Sequence, residues 1–235
     1  MRWIFMAGGA CFLPCMLALT GLAGERGARV DIATISPCPS FCGGSGAHTE
    51  FLFDGGVGAN SASTSVDNID GTGQASASLN GPLELPSLGV EAFSNPNARV
   101  SSKATGVQQY AYTGAAPRSV VLDLTLTGEA GAPQISDASV RADIAVVRGP
   151  QMDFLTDFST LIFELVPLTP SLDLLAQTSL LLPVNAGPQS VMDSVAFDLQ
   201  PGDNIFIWAG LSGRGTRSGF GDAMDTLSLE FPDPT

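Results

Sequence analysis

The ten residues Arg118-Ser119-Val120-Val121-Leu122-Asp123-Leu124-Thr125-Leu126-Thr127 place an apolar side chain at every even position from 120 to 126, with Asp123 and Thr125 between them. Successive side chains of an extended chain point to opposite faces, so this two-residue repeat predicts a strand with one buried face and one wet one. The pattern recurs. Across 137–147, Val140, Ala142, Ile144 and Val146 oppose Ser139, Arg141 and Asp143, and across 225–231, Leu227, Leu229 and Phe231 oppose Thr226, Ser228 and Glu230. Weaker alternation marks 101–112, 160–166, 174–182, 194–199 and 204–211. In the last, Ile205 and Ile207 oppose Phe206 and Trp208, which predicts a central or loop-covered strand with Trp208 in a core.

Breakers separate these runs: Gly128-Glu129-Ala130-Gly131, Gly149-Pro150, Asn185-Ala186-Gly187-Pro188 and Pro201-Gly202-Asp203-Asn204. Short strands at this spacing, with no repeat of 20–50 residues, predict an all-β antiparallel β-sandwich with jelly-roll or Greek-key-like connections. A helical face also fits 152–165 through Phe154, Leu155, Phe158, Leu161 and Ile162. The Gly-, Ser- and Ala-rich stretch 55–81 reads as loop with one short strand at 74–79, and Gly213 to Gly219 as a mobile loop.

Residues 1–23 read as a signal peptide: Arg2 is followed by an apolar run free of ionisable acid or base to Leu22, and Gly21-Leu22-Ala23 supplies small residues for cleavage. The domain reading is 1–23 leader, 24–81 loop-rich segment and 82–235 sandwich core, with 24–235 as one globular domain. No second apolar run would anchor the chain in a membrane after cleavage, so it is expected to be secreted or periplasmic.

The formal charge is −13, and loss of Arg2 makes it one unit more negative. Lys103 is the only lysine, which argues against nucleic acid and anionic lipid as partners. Cys38 and Cys42 suit a loop disulfide in an oxidising compartment. A metal site built from them with His48 and Asp54 departs from the tighter spacing of structural zinc. Asp67, Asn68 and Asp70 before Gly71 offer hard oxygens as a candidate calcium loop, the one cofactor considered.

His48 is the only histidine and no Gly-x-Ser-x-Gly occurs, which disfavours serine hydrolase chemistry; two-histidine metalloprotease motifs are excluded by counting. No catalytic residue is assigned, and the chain is read as a non-enzyme. Arg214 and Arg217 are a candidate local anion site, with two solvated side chains as the plainer reading. Tyr110 and Tyr112, two apart, are a candidate glycan platform, with cross-strand packing as the alternative.

The closing run 204–212, a Gly-rich loop, and Asp225-Thr226-Leu227-Ser228-Leu229-Glu230-Phe231 together resemble the end of exported bacterial PEP-CTERM-type proteins. That resemblance covers roughly the last 30 residues and implies an exported β-sandwich associated with extracellular polysaccharide or the cell envelope. Those proteins continue into a Val-Pro-Glu-Pro-like motif, a membrane helix and a basic tail, whereas this sequence closes with Pro232-Asp233-Pro234-Thr235. The expected function is therefore a non-enzymatic envelope or matrix-associated protein. A carbohydrate-binding module is the first alternative, and a glycoside hydrolase with an unidentified acid pair the second.

Exported protein should begin at Gly24, with Cys38 and Cys42 refractory to alkylation until reduced. Intact mass spectrometry with and without reductant checks both, and a full-length product with free thiols would refute the export reading.

Overall fold

The computed structural model describes residues 19–37, 47–79, 85–134, 137–150 and 172–232. Twelve strands follow in order: β1 Leu19–Pro37, β2 Ala47–Val57, β3 Ser61–Asn68, β4 Gly71–Ser78, β5 Ser87–Ser94, β6 Arg99–Tyr112, β7 Arg118–Gly131, β8 Ala138–Arg148, β9 Asp173–Leu181, β10 Gln189–Leu199, β11 Asn204–Thr216 and β12 Phe220–Glu230. They form two six-stranded sheets. Sheet A runs β2-β1-β6-β11-β8-β9 and sheet B runs β10-β7-β12-β5-β4-β3. All pairings between these strands are antiparallel.

The last eight strands pair from the outside inward: β5 with β12, β6 with β11, β7 with β10, and β8 with β9. A long hairpin folded over on itself in this way is a jelly roll. Strands β1 and β2 extend sheet A beyond β6, and β3 and β4 extend sheet B beyond β5. The all-β sandwich expected from alternation is the one observed, and the strands expected at 101–112, 118–127, 137–147, 174–182, 194–199, 204–211 and 225–231 are β6 to β12. The candidate strand at 160–166 and the helical face at 152–165 lie outside the described residues. Among the described residues, no helix is long and apolar enough to cross a membrane.

Inward rows from both sheets make the core. Leu122, Leu124 and Leu126 of β7 share one buried cluster with Ile144 of β8 and Ile205 and Ile207 of β11. The opposite parity of β11 behaves differently: Phe206 and Trp208 join Val107, Ala145, Val147 and Leu172 in a second, smaller cluster on the outer side of sheet A. Trp208 is therefore buried, as its doubly apolar strand implied, but apart from the main core.

The short strand expected at 74–79 is part of β4, but the rest of the segment 24–81 read as loop-rich also holds strands, β1 to β3, and the run 213–219 read as loop is largely strand. In 55–81, Gly71, Gly73, Ala75 and Ala77 of β4 alternate inward against Thr72, Gln74, Ser76 and Ser78, so the period is two although the inward residues are small. Small residues are required because the space is full: a Cβ on Gly73 would lie 3.0 Å from Ile32 Cγ2 and 3.0 Å from Ser102 Oγ. The run 213–219 is the end of β11 and a tight corner into β12, with Arg217 and Ser218 at φ 52° and 70°. The Gly219 N–H donates to the Thr216 carbonyl, and the Arg217 N–H to that of Ala98. A Cβ on Gly215 would stand 2.1 Å from the Gly219 carbonyl oxygen, so position 215 admits only glycine.

Substituting Leu124 by Ala should cost about 2–5 kcal/mol of unfolding free energy, whereas Val121→Ala, on the outward parity of the same strand, should cost under about 0.5 kcal/mol. Denaturant titration of the two variants measures the difference, and equal losses would contradict the inward assignment.

Candidate functional site

The outer face of sheet B is largely polar and acidic. A register shift in β12 between Asp222 and Leu227 divides this face into two parts, and within each part outward side chains line up in rows across the strands. One row reads Gln74, Glu91, Asp222, Glu129 across β4, β5, β12 and β7. The adjacent row reads Thr72, Phe93, Phe220, Gly131. Phe93 and Phe220 stack with ring centroids 5.2 Å apart and planes 15° from parallel, and Phe93 remains 38% exposed. A side chain on Gly131 would collide with the Phe220 ring, so the pair lies over that glycine.

Further along β7 the same face carries an open groove of about 410 Å³ lined by Asp123, Thr125, Met192, Ser194, Ser228 and Glu230, among others. Asp123 sits directly opposite Glu230 on β12 and Ser194 on β10. Met192 is 73% exposed beside them. Asp193 also lines the groove, on the edge strand β10; the Thr178 hydroxyl and the Ser194 N–H both donate to its carboxylate, and these bonds hold the Asp193 carboxyl below its ordinary value. No Lys or Arg lies on the outward parity of the described residues of sheet B.

Like charges directly opposite one another on neighbouring strands repel. Burial first, and the Asp222 carboxylate second, push the Glu91 carboxyl above its ordinary value. The arrangement offers carboxylate acceptors, hydroxyls and an apolar ring pair on one sheet face, a combination suited to a polyhydroxylated ligand.

The residues singled out from sequence fall elsewhere. Tyr110 and Tyr112 do share one strand face, but it is the inward one: they are 0% and 5% exposed and belong to the main core, so they form no exposed platform. The Tyr112 hydroxyl donates to the Ala116 carbonyl. Asp67, Asn68 and Asp70 close the β3–β4 hairpin. Asn68 Oδ1 accepts the Asp70 N–H at 2.8 Å while its amide donates to Thr34 Oγ1, Asp67 points outward, and Asp70 is buried. The Asn68 side chain is thus engaged in the turn itself. No cluster of three His, Cys, Asp or Glu able to hold a metal occurs among the described residues. Cys38 and Cys42 lie outside the described residues. His48 and Asp54 are paired in β2 with Ser36 and Val30 of β1, six residues apart along the strand.

Phe93 and Phe220 escaped the sequence reading. Strand β5 is apolar on both parities around Glu91, and Phe220 follows the glycines of the corner, so neither stretch alternates cleanly.

No family model and no curated protein sequence matches the chain. Among solved structures it resembles the carbohydrate-binding module TmCBM61, solved with β-1,4-galactotriose, at 10% identity over 61% of this chain and 70% of that one, with a TM-score of 0.29. It also resembles the enzymatically active domain of bacteriophage CBA120 tailspike protein 4, at 11% identity over 73% of this chain and 20% of that one, again with a TM-score of 0.29. Likeness at this level carries no argument about ligand or activity.

Because folding raises the Glu91 carboxyl, its ionised form opposes folding at neutral pH, and that opposition fades as pH falls through the folded-state value. Glu91→Gln should therefore raise the melting temperature at about pH 7 and leave it unchanged near about pH 3, below ordinary carboxylate values. A gain of the same size at both pH values would contradict the repulsion.

Proposed function

We propose that this chain is an exported, non-catalytic envelope or matrix protein that holds a neutral polysaccharide on the outer face of sheet B. The observation that supports this most directly is the part-exposed Phe93–Phe220 stack beside the carboxylate row of Glu91, Asp222 and Glu129. Ring carbons pack against the C–H face of a sugar, and carboxylates accept hydrogen bonds from its hydroxyls. The wholly acidic face favours a ligand without charge of its own sign. In the groove, Asp123, Glu230 and Ser194 extend the same chemistry along β7.

A second reading follows from Asp123 and Glu230. Directly opposite positions on antiparallel strands hold their Cβ atoms about 4.5–5.5 Å apart, which is compatible with the carboxyl separation of about 5–5.5 Å in retaining glycosidases. Against it, the groove is open, and a glycosidase site gains from excluding water.

Retention of mature protein on insoluble neutral polysaccharides tests the proposal. Phe93→Ala and Phe220→Ala should each weaken binding by about 3- to 10-fold, and undiminished retention by the double variant would refute the site. Release of reducing sugar that disappears in Glu230→Gln would replace the binding reading with the hydrolytic one.

A further inference from the structure

The outer face of sheet A has the opposite polarity. Five of the ten Lys and Arg residues in the chain lie there: Arg29 on β1, Arg99 and Lys103 on β6, Arg141 on β8 and Arg214 on β11. Three have local counter-charges, Lys103 among them because register sets it directly opposite Asp31. Arg29 grips Asp31 through Nε and Nη2, and Arg141 pairs with Asp143 at 2.7 Å.

Lys103 gathers with Arg99 and Arg214 on two neighbouring strands. Arg99, Ser101 and Lys103 project from β6, and register sets them against Thr216, Arg214 and Ser212 of β11 in turn. Arg99 and Arg214 have no carboxylate partner among the described residues, and Arg214 Nε reaches only the Thr216 hydroxyl at 3.4 Å.

Their mutual field is felt. The Arg99 guanidinium is held below its ordinary value by burial and then by Arg214, and the Lys103 ammonium by burial, with Asp31 opposing and Arg99 adding to the shift. A chain this acidic has no need to crowd cations on one face for solubility, and the crowding costs stability until an anion arrives.

We infer that Arg99, Lys103 and Arg214, with the hydroxyls of Ser101, Ser212 and Thr216 between them, form a second binding site that takes a carboxylate-bearing polysaccharide. The polysaccharide class rests on the proposed function, whereas the anion preference rests on this cluster alone. A planar guanidinium fork pairs with a planar carboxylate through two parallel bonds, and the interleaved hydroxyls match a polymer that alternates acid groups with neutral ones. Nucleic acid fits worse: its closely spaced phosphates would meet Asp31, Asp143 and the net charge of −13, and the cluster includes no ring on which a base could stack. The two sites sit back to back. Ser102, between Ser101 and Lys103, turns inward and its Oγ donates to the Glu91 carbonyl of sheet B, so one molecule could join a neutral polymer to an acidic one.

The test is titration of mature protein with polyuronate oligomers, sulfated oligomers and neutral oligomers at low and moderate salt. Wild type should bind the polyuronate in a salt-dependent manner, Arg99→Ala and Arg214→Ala should each weaken it about tenfold, and the double variant should lose it while still retaining neutral polysaccharide. Neither substitution should lower the melting temperature, since each removes a repulsion. Binding that survives in the double variant, or is tighter for sulfated than for carboxylated oligomers, would overturn the assignment. Self-association of wild type that the same substitutions abolish, without polyuronate binding, would give the cluster to the acidic face of a second copy and equally overturn it. Loss of neutral binding alone, through the phenylalanine variants, would leave this site standing.

Discussion

Burial of the inward rows between sheets A and B governs the rest of the structure. Apart from the β8–β9 pair, the strands of the jelly roll pair with partners distant in sequence, so register is held by the need to keep Leu122, Leu124, Leu126, Ile205 and Ile207 on the dry side. Slipping any strand by one residue would send its apolar set into water and its charges into the core. The same constraint fixes what faces outward. Asp123, Glu91 and Asp222 reach solvent on sheet B, and Arg99, Lys103 and Arg214 on sheet A, because their neighbours of opposite parity are held inside.

The sheets are not evenly spaced. Bulky aliphatic rows separate them beneath β7, β8 and β11, whereas glycine and alanine let them approach at two places, under β4 and at the corner from β11 to β12. At that corner the chain passes from one sheet to the other through Arg217 and Ser218, and the Arg217 and Ser218 amides are bonded to carbonyls of the β5–β6 turn. The pinched end brings the basic rows of one sheet over the acidic rows of the other, separated by little more than backbone and small side chains. Opposite polarity on the two outer faces is thus a product of the roll, built from strands that individually carry few charges.

Alternation in 118–127, 137–147 and 225–231 was enough to foretell an antiparallel sandwich, because the contrast between leucine or valine and aspartate or threonine survives in a one-dimensional reading. It reached only part of the way where the inward residue was small: a short strand was legible at 74–79, within β4, but the rest of 55–81 and the glycines of 213–219 have the same signature as a loop. Tyr110 and Tyr112 were legible as sharing a face, but period two says only that residues are on the same side, not which side is dry. The three cations of the sheet A cluster had no common signal, since Arg99 and Arg214 are far apart in the chain and meet only through pairing of β6 with β11.

Local side-chain order and composition, then, settled the strand class, the layered architecture and the net acidity of the chain, since each depends on neighbours in the chain or on composition. Tertiary pairing alone decided which rings stack, which carboxylates stand in a row and which cations repel. Those relations exist only between strands, and the partner of each strand is chosen by burial of the whole layer rather than by anything written in its own residues.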